Sequence, residues 1–455
     1  MSENREIPNG WVWAKLGEVC KLKNGYAFKS SDYSKEGIPV IRISDINEGV
    51  VSVDESVKVI ANQEYDNYII SKDEILVAMS GATTGKFGIF RNNIIAYQNQ
   101  RVGKFQILDI NALNNTFLLF LLYSLKRKIL EDAYGGAQPN ISSGKIEELE
   151  IPLPPFSEQH RIVAKIEELF SSLDKGIENL KTAQQQLKIY RQAVLKWAFE
   201  GKLTNRNVAD GVLPEGWKWV KLGEVCTNVE YGSAAKSKEI GKVPVLRMGN
   251  IQGGKIDWDD LVYTDDEIEI NKYLLRKNDV LFNRTNSPEW VGKTAMYKGE
   301  RPAIFAGYLI RINHIDALID PSYLAYYLNS HIAKKYGNSV KSFGVNQANI
   351  NGTKLKTYPL PLPLLSEQHE IVAEIESRLS VCDKIEESIE HSLKQSEALR
   401  QSILKKAFEG KLVPQDPSDE PATVLLGRIW AERALRQVQG KSKPVKKIRN
   451  KKEKA

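Results

Sequence analysis

The chain has 455 residues, 42% of them apolar, and a formal charge of +7, which allows two or three domains and excludes wholesale disorder. Eight Lys or Arg against one acid between Lys441 and Ala455 carry that whole charge, so residues 1–440 are formally neutral and bulk charge does not define the folded body as a polyanion binder. Cys20, Cys226 and Cys382 form no CxxC pair, which argues against a disulfide framework and a thiolate zinc site. No signal-type leader and no run of about 18 apolar residues occurs, so a soluble, cytoplasmic protein without membrane contact is expected.

In chain order, IPVIRI from Ile38, EILVAM from Glu74 and KFGIF from Lys86 read as strands, and TFLLFLLYSLKRKIL from Thr116 as a buried helix. Residues 157–197 contain no proline and carry Ile162, Ile166, Leu169, Leu173, Ile177, Leu180, Leu187 and Val194 at steps of three and four. That period predicts one long helix with Ser157 as N-cap and Gly201 as C-terminal stop. Everything then recurs. IPNGWVWAKLGEVC (from Ile7) returns as LPEGWKWVKLGEVC (from Leu213), offset 206, and SEQH returns from Ser157 to Ser366, offset 209. SYLAYYLNSHIAKKY from Ser322 is the second copy's helix, and Ile371, Ile375, Cys382, Ile385, Ile389, Leu399 and Ile403 repeat the apolar seam up to Gly410, with Ser366 as the second N-cap. The chain is a tandem duplication.

The expected organisation is a globular domain at 1–155, a helix at 156–203, a second globular domain at 204–365, a second helix at 366–412, a short helical segment at 413–440 and a basic disordered tail at 441–455. The fold class is α+β, with two tandem-duplicated domains separated by two long helices. A helix of roughly 42 residues spans on the order of 60 Å, and two narrow apolar seams predict an antiparallel coiled coil with pseudo-two-fold symmetry. Of the 47 positions from Ser157 to Leu203, 24 are identical to their partners, and they crowd the two ends. A seam needs only apolar character, so repeated polar ends mark repeated surfaces or repeated junctions. As surfaces they nominate Glu158, Gln159, His160, Phe199 and Glu200, with Glu367, Gln368, His369, Phe408 and Glu409, for two copies of one partner. Plain spacing or oligomerisation is the bland alternative.

Catalytic patterns are missing. SGATTGKF (Ser80 to Phe87) has three residues between Gly81 and Gly85 and Phe87 where a phosphate loop needs Ser or Thr. LPPF (from Leu153) and NSPEW (from Asn286) each lack part of an Asp/Asn-Pro-Pro-aromatic methyltransferase element, and the five histidines show no metal spacing.

IPNGWVWAKLGEVC, IPVIRISDIN, PLPPFSEQHRIVAKIEELFS, RQAVLKWAFEGKLT, their second copies and DEPATVLLGRIWAER resemble the specificity subunit of a type I restriction–modification enzyme over essentially the full chain. The resemblance implies two target-recognition domains, each reading half of a bipartite double-stranded DNA site. The helices would set the unread spacer and bind two modification subunits that carry S-adenosylmethionine and methylate adenine. Up to two restriction subunits, using ATP and Mg, would join to cut; no catalytic residue, metal or cofactor belongs to this subunit.

Base readout needs Arg, Asn or Gln, and phosphate contact needs Lys, Arg and small polar groups. The first domain offers Tyr26, Lys29, Ser80, Thr83, Thr84, Lys86, Gln98, Asn99, Gln100 and Arg101. The second offers Tyr231, Lys236, Lys238, Asn283, Arg284, Asn286, Lys293, Asn346 and Gln347. These loops differ between halves whose framework strands match, as two different half-sites require; solvation alone also selects polar loops. Lys86 and Lys293 align and are expected on phosphates, whereas Arg42 and Arg247 align within a strand and are expected to be structural. The rivals are a coiled-coil scaffold joining two protein-binding domains and a single-chain methyltransferase.

Overall fold

A computed structural model describes residues 7–47, 49–133, 140–205, 207–209, 211–345 and 347–441. Asn346, Gln138 and Pro139 of the QPNI phrase, and the basic tail beyond residue 441 lie outside the described residues. The chain divides into two units, 1–178 with 393–455 and 179–392, so the division falls inside the long helices rather than at their ends.

Within the first unit, a ribbon pairs Val12–Lys15 antiparallel with Glu150–Leu153. One five-stranded sheet runs Cys20–Asn24, Val102–Ile107, Ile75–Ala78, Phe87–Ile89, Gly49–Val50. A second runs Tyr33–Ser34, Lys58–Val59, Ile38–Ile41, Ala96–Gln98, Ile69–Ile70. Strand Ile75–Ala78 is buried at all four positions, which is why it reads as an unbroken apolar run rather than an alternation. The helix Asn115–Ala133 lays Phe117, Leu118, Leu121 and Leu122 into the core.

The second unit repeats the plan. Lys218–Lys221 pairs with Pro359–Leu362; a sheet runs Cys226–Tyr231, Leu309–His314, Val280–Asn283, Thr294–Met296. The parallel pairing of Val243–Leu246 with Ile304–Phe305 matches that of Ile38–Ile41 with Ala96–Gln98. The expected single helix from Ser322 is instead two, Pro321–Asn329 and His331–Val340, broken at Ser330, whose side chain caps the second by accepting from Ala333 N.

The long helices run Phe156–Phe199 and Leu365–Phe408. Their first backbone bonds go from Gln159 N to Pro155 O and from Gln368 N to Leu364 O, so Ser157 and Ser366 sit inside the first turn and are not the N-caps expected. Gly201 (φ +75°) and Gly410 (φ +68°) close them in the left-handed conformation that glycine accepts without strain. Both ends repeat one bond pattern, Lys202 N to Trp197 O and Lys411 N to Lys406 O, each 2.8 Å.

Inside each unit the start of one long helix packs against the end of the other, an antiparallel pairing. In the first, Ile162 and Ile166 share a core with Ile403, Leu404 and Ala407, and the helix Ala422–Lys441 adds Ala422, Leu425, Leu426 and Ile429. Arg161 holds Asp419 at 2.6 Å there. In the second, Val194, Ala198 and Phe199 share a core with Ile371 and Ile375. Asp174 pairs with Arg400 in the first unit, and their repeat partners Asp383 and Arg191 pair at 2.6 Å in the second. Ile385 and Leu399, expected in the seam, are 44% and 51% exposed. The buried row of this helix is Ile375, Cys382, Ile389, Ser396 and Ile403, at steps of seven, and Ile385 and Leu399 lie three residues off it.

Candidate nucleic-acid interface and repeated junctions

The repeated SEQ phrase builds a junction. Gln159 and Gln368 are fully buried, and each makes the same three bonds. Gln159 Oε1 accepts from Asn114 N at 2.8 Å while its Nε2 donates to Ala112 O and Pro154 O. Gln368 Oε1 accepts from Asp320 N at 2.8 Å while its Nε2 donates to Leu318 O and Pro363 O. Each amide thereby ties the helix start to the N-terminus of its domain's apolar helix.

The preceding glutamates receive indole donors: Trp11 Nε1 donates to Glu158 Oε2 at 2.9 Å, and Trp217 Nε1 to Glu367 Oε2 at 3.0 Å. Glu367 Oε1 also accepts from Thr204 Oγ1 and Asn205 Nδ2. Val413 and Pro414 occupy the equivalent positions in the first unit, and Glu158 Oε1, buried, has no partner among the described residues. Burial raises the Glu158 pKa, against the opposing pull of the Trp11 bond and the Arg161 charge.

Partner contact through Glu158, Gln159, Gln368 and Phe199 is therefore corrected. All four are buried within their own unit, Phe199 edge-on to Tyr323 and Tyr327. Glu367 is half-buried in its junction, and Phe408 packs on Phe117. The exposed members are His160, beside Asn114 Nδ2, His369, 3.6 Å from Asp320, and Glu409. Half-buried Glu200 and exposed Glu409 form matching triads, Glu200 with Lys196 and Lys202 and Glu409 with Lys405 and Lys411.

Among the loop candidates of the first unit, Gln98 is buried and donates to Lys23 O and Val102 O, which makes it a framework residue and not a reader of bases. Thr84 is buried and donates to Gly81 O, and Thr83 donates to Ile43 O. Ser80 is half-buried and bridges to Asn140. Tyr26 stacks among Phe28, Tyr65 and Tyr68. Lys29, Gln100 and Arg101 are exposed, and Asn99 and Lys86 half-exposed. The SGATTGKF loop joins two antiparallel strands and opens no helix, which removes the geometry a phosphate loop needs.

In the second unit Tyr231 lies under the Arg284 guanidinium and accepts from Gly352 N. Arg284 is tied to Gly307 O, Asn286 accepts from Ser287 N, and Lys238 is paired with Asp265. Asn283 is fully buried with neither amide atom partnered among the described residues, so base contact there is corrected too. Lys236 and Gln347 are exposed. Lys293 stands over the Trp290 ring at 4.1 Å and donates to Gln252 Oε1 at 2.9 Å. Arg42 and Arg247 are framework residues, bonded to Glu55 O and Asp260 O.

Missed by the sequence reading were Trp11, Trp217, Asn114 and Asp320. The doubled GWxW phrase carried the signal for the first two; nothing local marked the others. No group of His, Cys, Asp or Glu fit to hold a metal occurs among the described residues, and no described helix is long and apolar enough to cross a membrane.

One α+β framework, written twice with different polar loops and closed onto paired long helices, defines a tandem recognition protein. The family model of the type I restriction modification DNA specificity domain matches it twice, at residues 8–188 and 214–395. The chain belongs to that family: it is a DNA-recognition subunit and carries no catalysis of its own. It is 30% identical over 451 residues to the type I restriction enzyme EcoKI specificity subunit of Escherichia coli (strain K12), covering 94% of this chain and 97% of that one. Against the StySPI specificity subunit of Salmonella potsdam the identity is 29%, with 94% and 97% covered. The HsdS subunit from Thermoanaerobacter tengcongensis shares the fold, with TM-score 0.58, 21% identity and 90% and 99% covered. So does a chain from a structure of type I R-M complex assembly, with TM-score 0.67, 23% identity and 89% and 99% covered.

Proposed function

We propose that each globular domain reads one half of a bipartite double-stranded DNA target through its polar loops. The observation that carries this is matched framework with unmatched loops: Ile38–Ile41 pairs parallel with Ala96–Gln98 as Val243–Leu246 does with Ile304–Phe305, whereas the residues that follow, Asn99–Arg101 in one unit and Ala306–Tyr308 in the other, share none. A scaffold with two equivalent protein-binding domains would have no reason to differ there. The base-reading candidates are Asn99, Gln100, Arg101, Arg284, Asn286, Gln347 and Asn346, with Lys29, Lys86, Lys236, Lys238 and Lys293 on phosphates.

In this reading the paired long helices set the unread spacer. They also dock two modification subunits, one at exposed His160 and Glu409 and one at exposed His369 with half-buried Glu200. Those subunits supply S-adenosylmethionine and the methyl transfer to adenine; up to two restriction subunits supply ATP- and Mg-dependent cleavage, all in the cytoplasm. This chain contributes position and sequence choice. Co-expression with a cognate methyltransferase and genome-wide mapping of methyladenine tests it. A split motif with a fixed gap is expected, and a bound partner that leaves no methylation would favour the scaffold instead.

A further inference from the structure

A groove of about 1410 Å³ opens in the second unit, with Lys293 and Lys334 in its wall beside Trp290. Several of the groove's other cations are already engaged. Arg191 pairs with Asp383 and Glu386, Lys255 with Asp383, and Lys341 donates to Pro288 O and Asn338 Oδ1. Lys293, which donates to the neutral Gln252 Oε1, and Lys334 differ from the two cations paired with acids. Among the described residues no carboxylate acts on either ammonium, and the charge that Lys293 feels is that of Lys334. Two like charges set close together in a concave, partly desolvated wall are unfavourable in the free chain, because each loses hydration and gains repulsion. Both ammonium groups are accordingly held below the ordinary lysine range, chiefly by burial. An anionic oxygen placed between them adds an attraction that offsets both the repulsion and the lost hydration.

We propose that Lys293 and Lys334 together clamp one backbone phosphate of the target DNA, with the Trp290 ring holding Lys293 in place. The clamp rests on the DNA-reading function above and names a residue, Lys334, that loop composition alone does not reveal. Lys334 lies on the helix His331–Val340 and lines the same groove as Lys293. Its repeat position is occupied by Lys128, as that of Lys293 is by Lys86, at offsets of 206 and 207. The same two lysines therefore recur in halves whose reading loops differ, as a sequence-independent contact should.

The test uses the full chain and a mixed-sequence DNA duplex, with the association constant measured across a salt series. Neutralising one phosphate contact lowers the slope of log K against log salt by about 0.9. The double variant K293M/K334M is expected to show that loss, K293R/K334R to keep the wild-type slope, and the exposed-lysine control K218M to leave it unchanged. Because phosphate raises both depressed ammonium groups, binding takes up protons, and wild-type affinity should fall as pH rises through the lysine range more steeply than that of K293R/K334R. A wild-type slope retained by K293M/K334M overturns the clamp while leaving DNA recognition intact. Absence of any salt-dependent DNA binding by the wild type overturns the recognition reading and the clamp with it.

Discussion

Gln159 and Gln368 are the points where the duplicated chain is least tolerant of change. Each satisfies one backbone N–H and two carbonyls inside a dry junction, and truncation strands all three. Gln159→Ala and Gln368→Ala should each cost roughly 2–3 kcal/mol, by the usual penalty for buried unpaired polar groups, and urea denaturation should find the two losses similar. Glu158 sets a pH dependence. Its pKa is raised by burial from the ordinary 4.5, so the folded chain binds more protons than the unfolded one. The stability it contributes is present below that value and is lost as pH rises through the raised one, with Arg161, Asp419 and Trp11 facing it. Glu158→Gln should flatten this part of the thermal midpoint's decline with pH; an identical decline in wild type and variant would remove Glu158 as its source.

Along the long helices, burial and not apolar character decides what a residue contributes. Ile166 is fully buried and Ile385 is 44% exposed. Ile166→Ala should cost roughly 2–5 kcal/mol, as large-to-small core changes do, and Ile385→Ala under about 1 kcal/mol, both read by denaturant midpoint. The three-and-four step pointed to both helices, expected at 156–203 and 366–412 and found at Phe156–Phe199 and Leu365–Phe408, because a long apolar stripe is a strong local signal. It misplaced Ile385 and Leu399, which lie three residues off the buried row from Ile375 to Ile403, because a step of three or four does not tell a seam position from its apolar neighbour. The Asp174–Arg400 and Asp383–Arg191 pairs explain the doubled Arg-Gln phrase as helix-to-helix contact. Exposed pairs of this kind contribute at most about 1 kcal/mol, so their value lies in fixing register.

For the molecule as a whole, duplication separates what is read from what holds the readers. Exchanging residues 24–140 for those of a relative should change one half of the methylated motif and leave the other half unchanged; a change in both would show that the halves are not read independently. Deleting whole heptads from both long helices should shorten the accepted gap between half-sites without changing the bases read, checked by the same methylation map. The sequence by itself determined the duplication, the two long helices and membership of a DNA-specificity family, because repeats, periodicity and composition are local or self-referential signals. Only the tertiary structure decided which repeated polar residues face outward. Gln159 finds Asn114 and Ala112, and Glu367 finds Trp217, across dozens to more than a hundred positions. A buried amide and an exposed one are written with the same letter, and only the partners that folding brings to it decide between a junction and a surface.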